Sequence, residues 1–340
     1  MDATLLLPLT ECVPGLAVPC RIHEEIWQIG EDTGAWARNS GLVLGDPDTT
    51  RLGRGRFGRM AARIFPEAPA DRVVLFAKWL TWLFAFDDAR DEGPLGGSAT
   101  AIDALYSDLW KAVRRRAARP GAGPLELALA ELWRESAAEM GSDWRRRFTG
   151  HLDAHRAGCL EEAVNRRTGS APALEDYPLL RRRTNGLFMF DLAEPVLGVE
   201  VPESVAVSRA WLSLVDGTSD VMAWCNDVAS FTQDSDPCNY VIVAMRSLGL
   251  TAEAAVNWVN ERILVRAQDV QAAARSLPAE FTRLRVDPVT VREVSRLVCG
   301  LLGAPRAHLD WLLECGRYKD PALVLPPRPA GQTLSVLLPS

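Results

Sequence analysis

Lysine is nearly missing from this chain of 340 residues: it occurs only at Lys78, Lys111 and Lys319, and the other 35 of the 38 basic side chains are arginine. The arginines are scattered among acids along helical stretches and form no basic face interleaved with aromatics, which excludes a nucleic-acid footprint. The 7 cysteines (Cys12, Cys20, Cys159, Cys225, Cys238, Cys299, Cys315) contain no CxxC pair. An odd, widely spaced set excludes a disulfide framework or a zinc site and agrees with a reduced, cytoplasmic setting. The longest apolar run, Val73 to Phe86, is interrupted by Lys78 and Thr81 and falls short of the roughly 20 residues that span a bilayer, so no stable membrane insertion is expected. The opening MDATLLLPLT carries an acid where an export signal needs a base. There is no Gly-rich phosphate loop and no Ser-His-Asp arrangement. His151 and His155 stand four apart without a third ligand beside them, and are expected at the surface.

What is present is an ordinary globular composition, 48% apolar and 24% charged with a net charge of −6, able to bury a large core. Apolar residues recur at three- and four-residue spacing, and no sustained alternation marks a half-buried strand, so the predicted fold is an all-α bundle. Turn chemistry breaks the helices at Glu92 to Gly97, Arg119 to Pro124, Thr168 to Pro172, Asp234 to Pro237 and Asp287 to Pro288. No linker divides the chain, which implies one helical domain over 51–318, preceded by a Pro/Gly-punctuated, partly extended segment 1–50 and followed by a Pro-rich tail 319–340.

Two stretches carry chemistry. In VVLFAKWLTWLFAFDDARDEG an apolar body ends abruptly in Asp87, Asp88, Asp91 and Glu92. On a helix Asp87 and Asp91 share one face, with Asp88 and Glu92 rotated by about 100°. Carboxylates at a helix C-terminus oppose its dipole, and a hard cation such as Mg²⁺, which takes one or two carboxylates plus phosphate oxygens, would compensate. In WCNDVASFTQDSD, Asn226, Ser230 and Asp234 are spaced by four and four, so amide, hydroxyl and carboxylate project along one stripe.

An acidic pair on one helix and an oxygen row on another suit a polynuclear Mg²⁺ site around a diphosphate. DDARDE resembles the aspartate-rich motif of bacterial class I terpene synthases, and NDVASFTQD resembles their Asn-Ser-Glu triad, with Asp234 in place of glutamate and Gln233 where many members carry lysine. The resemblance extends from about Ala35 to Tyr318 and includes GRFGRMAARIFPEAP. YPLLRRRTNG looks like the family's pyrophosphate-sensor segment, which assigns Arg182, Asn185 and Gly186; Arg317 and Tyr318 in HLDWLLECGRYKD match an Arg-Tyr pair that closes over the diphosphate.

The resemblance implies a Mg²⁺-dependent cyclase, with three ions held by Asp87, Asp88 and Asp91 and by Asn226, Ser230 and Asp234. It would ionise a linear isoprenyl diphosphate and steer the cation into rings. Family frequency favours farnesyl diphosphate and a sesquiterpene, with geranylgeranyl diphosphate and a diterpene as the alternative; a homodimer is a family expectation. The cavity is expected to be apolar and aromatic, lined by Phe76, Phe84, Trp224 and Trp311, because π faces stabilise carbocations. An isoprenyl chain-elongation enzyme shares this logic but carries aspartate-rich motifs on both metal helices, and a cyclase-derived protein that binds isoprenoid without turnover is the more distant alternative.

Overall fold

The computed structural model describes residues 3–91, 98–231 and 236–318, and among them no strand is formed. Eleven helices of eight residues or more are described: α1 (Ile26–Asn39), α2 (Phe57–Ile64), α3 (Ala70–Asp91), α4 (Ala99–Arg115), α5 (Pro124–Ala137), α6 (Ser142–Thr168), α7 (Tyr177–Thr184), α8 (Arg209–Ser230), α9 (Tyr240–Leu248), α10 (Ala252–Arg283) and α11 (Pro288–Glu314). None is long and apolar enough to cross a membrane. Local chemistry sets several boundaries. The Ser208 hydroxyl caps α8 by accepting from Trp211 N, and the Asp287 carboxylate caps α11 by accepting from Val289 N and Thr290 N, with Pro288 at the first helical position. Gly169 ends α6 with a φ of 66°, a conformation open to glycine at no steric cost.

Helix α3 is central. Apolar almost all round, it turns Trp79, Trp82 and Phe86, none of them accessible, into a core of rings with Phe148 and Phe188. The indole N–H groups do not go unpaired: Trp79 donates to the Ser136 hydroxyl at 2.8 Å and Trp82 to the Leu125 carbonyl at 2.9 Å. Truncating one such ring would cost about 3–5 kcal/mol. The other side of α3 faces α2, α7, α8 and α11 across a cavity. α8 in turn packs on α10, α11 and α7, so both predicted metal helices are fixed by core packing on one side and open to the cavity on the other.

Much of the opening segment is helical, with 18–25 and 40–46 outside the helices. Ala3–Leu6, Leu7–Cys12 and Pro14–Ala17 form successive short helices that bury Leu6, Leu9, Val13 and Leu16. Pro8 and Pro14 stand in first turns, where proline's missing N–H is no loss. Of the expected breaks, those at 119–124, 168–172 and 287–288 fall between helices; 92–97, the first half of 234–237 and the tail 319–340 lie outside the described residues.

Candidate active site

A cavity lies between α2, α3, α7, α8 and α11. Its walls are apolar and aromatic, with Met60, Phe76, Leu83, Phe84, Met189 and Met222 among them. Against these stand Asp87 of α3, Arg181 of α7 and Asn226 of α8, three polar side chains from three helices that open on one space. Asp87 and Asn226, one from each sequence motif, thus line the same space.

Arg181 is held between two residues of α8, donating to Asp227 at 2.9 Å and to the Asn226 amide oxygen at 3.3 Å. Burial alone would lower its pKa, but the Asp227 carboxylate more than offsets this, so the guanidinium stays charged inside the protein. Tyr177, one turn earlier on α7, donates to the other Asp227 oxygen at 2.5 Å. Asn226 donates its amide to the Tyr318 hydroxyl at 2.6 Å. On the α3 side, Arg317 makes a two-pronged contact with Asp88 at 3.0 and 2.5 Å and lies 4.8 Å over the Phe84 ring. Consecutive residues after α11 thus grip both metal helices, Arg317 through Asp88 and Tyr318 through Asn226. Both are almost fully buried.

Beneath this lies an ionic ladder the sequence did not reveal. Asp87 stands 3.4 Å from Arg90, which donates at 2.6 Å to Glu162 of α6; Glu162 lies 3.5 Å from Arg166, which reaches Asp236 at 2.6 Å. Asp236 accepts from Cys238 N, and Asn239, the N-cap of α9, donates to the Ser230 hydroxyl at 3.4 Å. The ladder therefore runs from the first metal helix to the far end of the second. Five residues of three types, dispersed between positions 87 and 236, gave no periodic signal.

Several expected positions are placed elsewhere. Arg182 points along α8, with 2.9 and 2.7 Å contacts to Asp220 and 2.9 Å to Asp216; Asp220 is shared with Arg266 of α10. One residue's step around α7, about 100°, takes its guanidinium out of the cavity and puts Arg181 there instead. Arg183 pairs with Glu161 at the surface. Asn185 lines the cavity while its amide donates to Ser219, and Gly186 has a φ of 80° with its carbonyl accepting from Met189 N at 2.9 Å. Asp88 is engaged by Arg317, and Ser230 is buried at the end of α8, away from the lining.

Phe76 and Phe84 line the cavity as expected. Trp311 does not: it lies one layer behind Phe84, ring centroids 5.6 Å apart, its indole donating to the Gly55 carbonyl. Trp224 turns the other way and packs on Tyr240 at 5.2 Å. His155 corrects the surface expectation outright, since it is fully buried and 2.6 Å from the Tyr106 hydroxyl; His151 is part-buried against Asp191 at 2.7 Å. His308 of α11 is a lining residue the sequence did not single out, stacked on Trp311 at 5.6 Å. Burial, with Arg181 nearby, pushes its pKa down to about 3, so it is neutral at ordinary pH. The Asp91 side chain and Asp234 and Gln233 lie outside the described residues.

The donors at the polar end are carboxylate and amide oxygens, the chemistry of a hard divalent cation. No group of three or more His, Cys, Asp or Glu among the described residues could hold a metal by itself. A cation here would need oxygens from a bound ligand, the mode Mg²⁺ adopts with phosphates, so the residues fit the metal.

The family profile described as "Terpene synthase family 2, C-terminal metal binding" matches residues 78–269, more than half of the chain and the whole of both metal helices from Lys78 onward. The chain is a class I terpene synthase of the bacterial kind. It is 32% identical over 280 residues to (−)-delta-cadinene synthase of Streptomyces clavuligerus, covering 80% of this chain and 84% of that one. It is 29% identical over 310 residues to a (−)-beta-caryophyllene synthase of Saccharothrix espanaensis described as cyclizing (2E,6E)-farnesyl diphosphate, with coverages of 88% and 86%. The solved linalool/nerolidol synthase of Streptomyces clavuligerus superposes on this terpene synthase with a TM-score of 0.75 at 26% identity, over 86% of this chain and 98% of that one. Germacradien-4-ol synthase of Streptomyces citricolor has a TM-score of 0.76 at 24% identity and shares the fold, over 87% of this chain and 96% of that one.

Proposed function

We propose that this terpene cyclase ionises farnesyl diphosphate with Mg²⁺ and closes the resulting cation to a sesquiterpene, releasing diphosphate. The observation that carries the reading is the opening of Asp87, Arg181 and Asn226, from three helices, on one apolar cavity. Asp87 and Asn226 would hold the metal, with Asp91, Ser230 and Asp234 assigned by their place in the motifs and three ions expected from the family pattern. When bound, Mg²⁺ supplies Lewis-acid charge to the departing diphosphate.

The chain's own residues do the rest. Arg181 offers a fixed positive charge on the side of the cavity away from α3, stabilising negative charge as the carbon–oxygen bond breaks and its electron pair leaves with diphosphate. Arg317 and Tyr318, seated on Asp88 and Asn226, close that end against water, which would otherwise quench the allylic cation. Phe76 and Phe84 present π faces to the cation while the electrons of a distal double bond form the new carbon–carbon bond; the ring cation this leaves is discharged by loss of a proton, which departs with the released diphosphate. Neutral His308 adds no positive charge to the cavity.

The test is incubation of the purified protein with farnesyl diphosphate and Mg²⁺ under an organic overlay, followed by gas chromatography and mass spectrometry. A cyclic fifteen-carbon product is expected. A longer linear diphosphate would instead identify chain elongation, and unconsumed substrate would indicate binding without turnover.

A further inference from the structure

The end of the cavity away from Asp87 is closed by a layer one side chain thick. Ile64, Phe65 and Gly300 line the cavity on one side and, on the other, a surface groove lined by Pro66, Ala68 and Leu197 together with charged side chains such as Arg63 and Arg296. Phe65, which terminates α2, stands edge-on to Phe76 with ring centroids 5.0 Å apart and is almost fully buried. Behind it α11 passes with glycine at position 300, where an added Cβ would lie 3.9 Å from the Phe65 ring. Along α3, Phe76 is eleven residues from Asp87, a rise of about 16 Å. A chain anchored by its diphosphate near Asp87 therefore runs toward Phe65 and stops there.

We propose that Phe65, backed by Gly300, is the partition that sets the longest isoprenoid this enzyme accepts. The inference rests on the reading of Asp87, Arg181 and Asn226 as the diphosphate end. Removing the Phe65 ring joins the cavity to the groove beside Pro66, Ala68 and Leu197, which gives room for one further isoprene unit. Filling position 300 shortens the cavity and favours a smaller substrate.

Phe65→Ala and Gly300→Leu are to be compared with the unaltered enzyme in competition assays holding geranyl, farnesyl and geranylgeranyl diphosphates with Mg²⁺, after circular dichroism has established that each variant is folded. Phe65→Ala should raise twenty-carbon over fifteen-carbon turnover by about tenfold or more, and Gly300→Leu should lower fifteen-carbon over ten-carbon turnover by a similar factor, the scale on which a pocket discriminates hydrocarbon length. Leucine is a good helix former, so Gly300→Leu decides the matter alone if Phe65→Ala does not fold. Unchanged ratios in the folded variants overturn the partition, as does an unaltered enzyme that takes the twenty-carbon substrate as readily as the fifteen-carbon one. An unaltered enzyme that consumes none of the three substrates removes the reading of the site itself, whereas activity on farnesyl diphosphate with unmoved ratios removes only the partition.

Discussion

His308 offers a stability test that is independent of turnover. Its imidazole is buried against Trp311 and close to Arg181, which holds its pKa down at about 3 from an ordinary 6.5. In the unfolded chain it takes up a proton below pH 6.5; in the folded protein it does so only near pH 3. Between those values the unfolded state binds more protons, so acid favours unfolding: the stabilisation is present in full above pH 6.5 and is lost as pH falls toward 3. At pH 5 the unfolded residue is almost wholly protonated and the folded one almost wholly neutral, which corresponds to a loss of about 2 kcal/mol relative to neutral pH. His308→Phe keeps a ring on Trp311 and removes the titration. Urea unfolding of both proteins, followed by circular dichroism at pH 7.5, 6 and 5, should show the unaltered enzyme losing about 2 kcal/mol more than the variant between the end points. The carboxylates and the raised His151 and His155 titrate in both proteins and cancel in the difference. Parallel pH profiles would refute the assignment of a neutral, buried imidazole.

Chelation with EDTA should abolish turnover and added Mg²⁺ restore it, and Asp87→Ala should reduce kcat by about a hundredfold or more at retained helicity. Arg181→Gln should lower kcat on that scale, whereas Arg182→Gln, which leaves Asp220 still paired with Arg266, should lower the melting temperature more than kcat; the reverse pattern would restore the sensor role to Arg182. Glu162→Gln leaves two guanidiniums without their shared carboxylate, so it should destabilise the fold by about 3–5 kcal/mol and raise the Mg²⁺ concentration needed for half-maximal rate, measured by metal titration. Gly186→Ala forces a side chain into a φ of 80° and against Phe188 at 3.1 Å, an expected loss of about 1–2 kcal/mol or more in urea unfolding.

Position along the chain and spacing along a helix were legible without coordinates. The all-α class, the breaks at Gly169 and Pro288, and the helices carrying Asp87 and Asn226 follow from composition, period and turn chemistry, which are local properties. Helical spacing fixes the angle between two side chains on one helix but says nothing of which neighbour each angle faces. Hence Asp87 and Phe84 could be grouped correctly, while Arg181 and Arg182, one step apart, could not be told from each other until α8 was in place with Asp227 on one side and Asp220 on the other. Trp224 turned to Tyr240, His155 went under Tyr106, and Arg90, Glu162, Arg166 and Asp236 became one ladder for the same reason. The residues that could do the chemistry were written in the sequence; which of them share a cavity was decided by the packing of helices far apart in the chain.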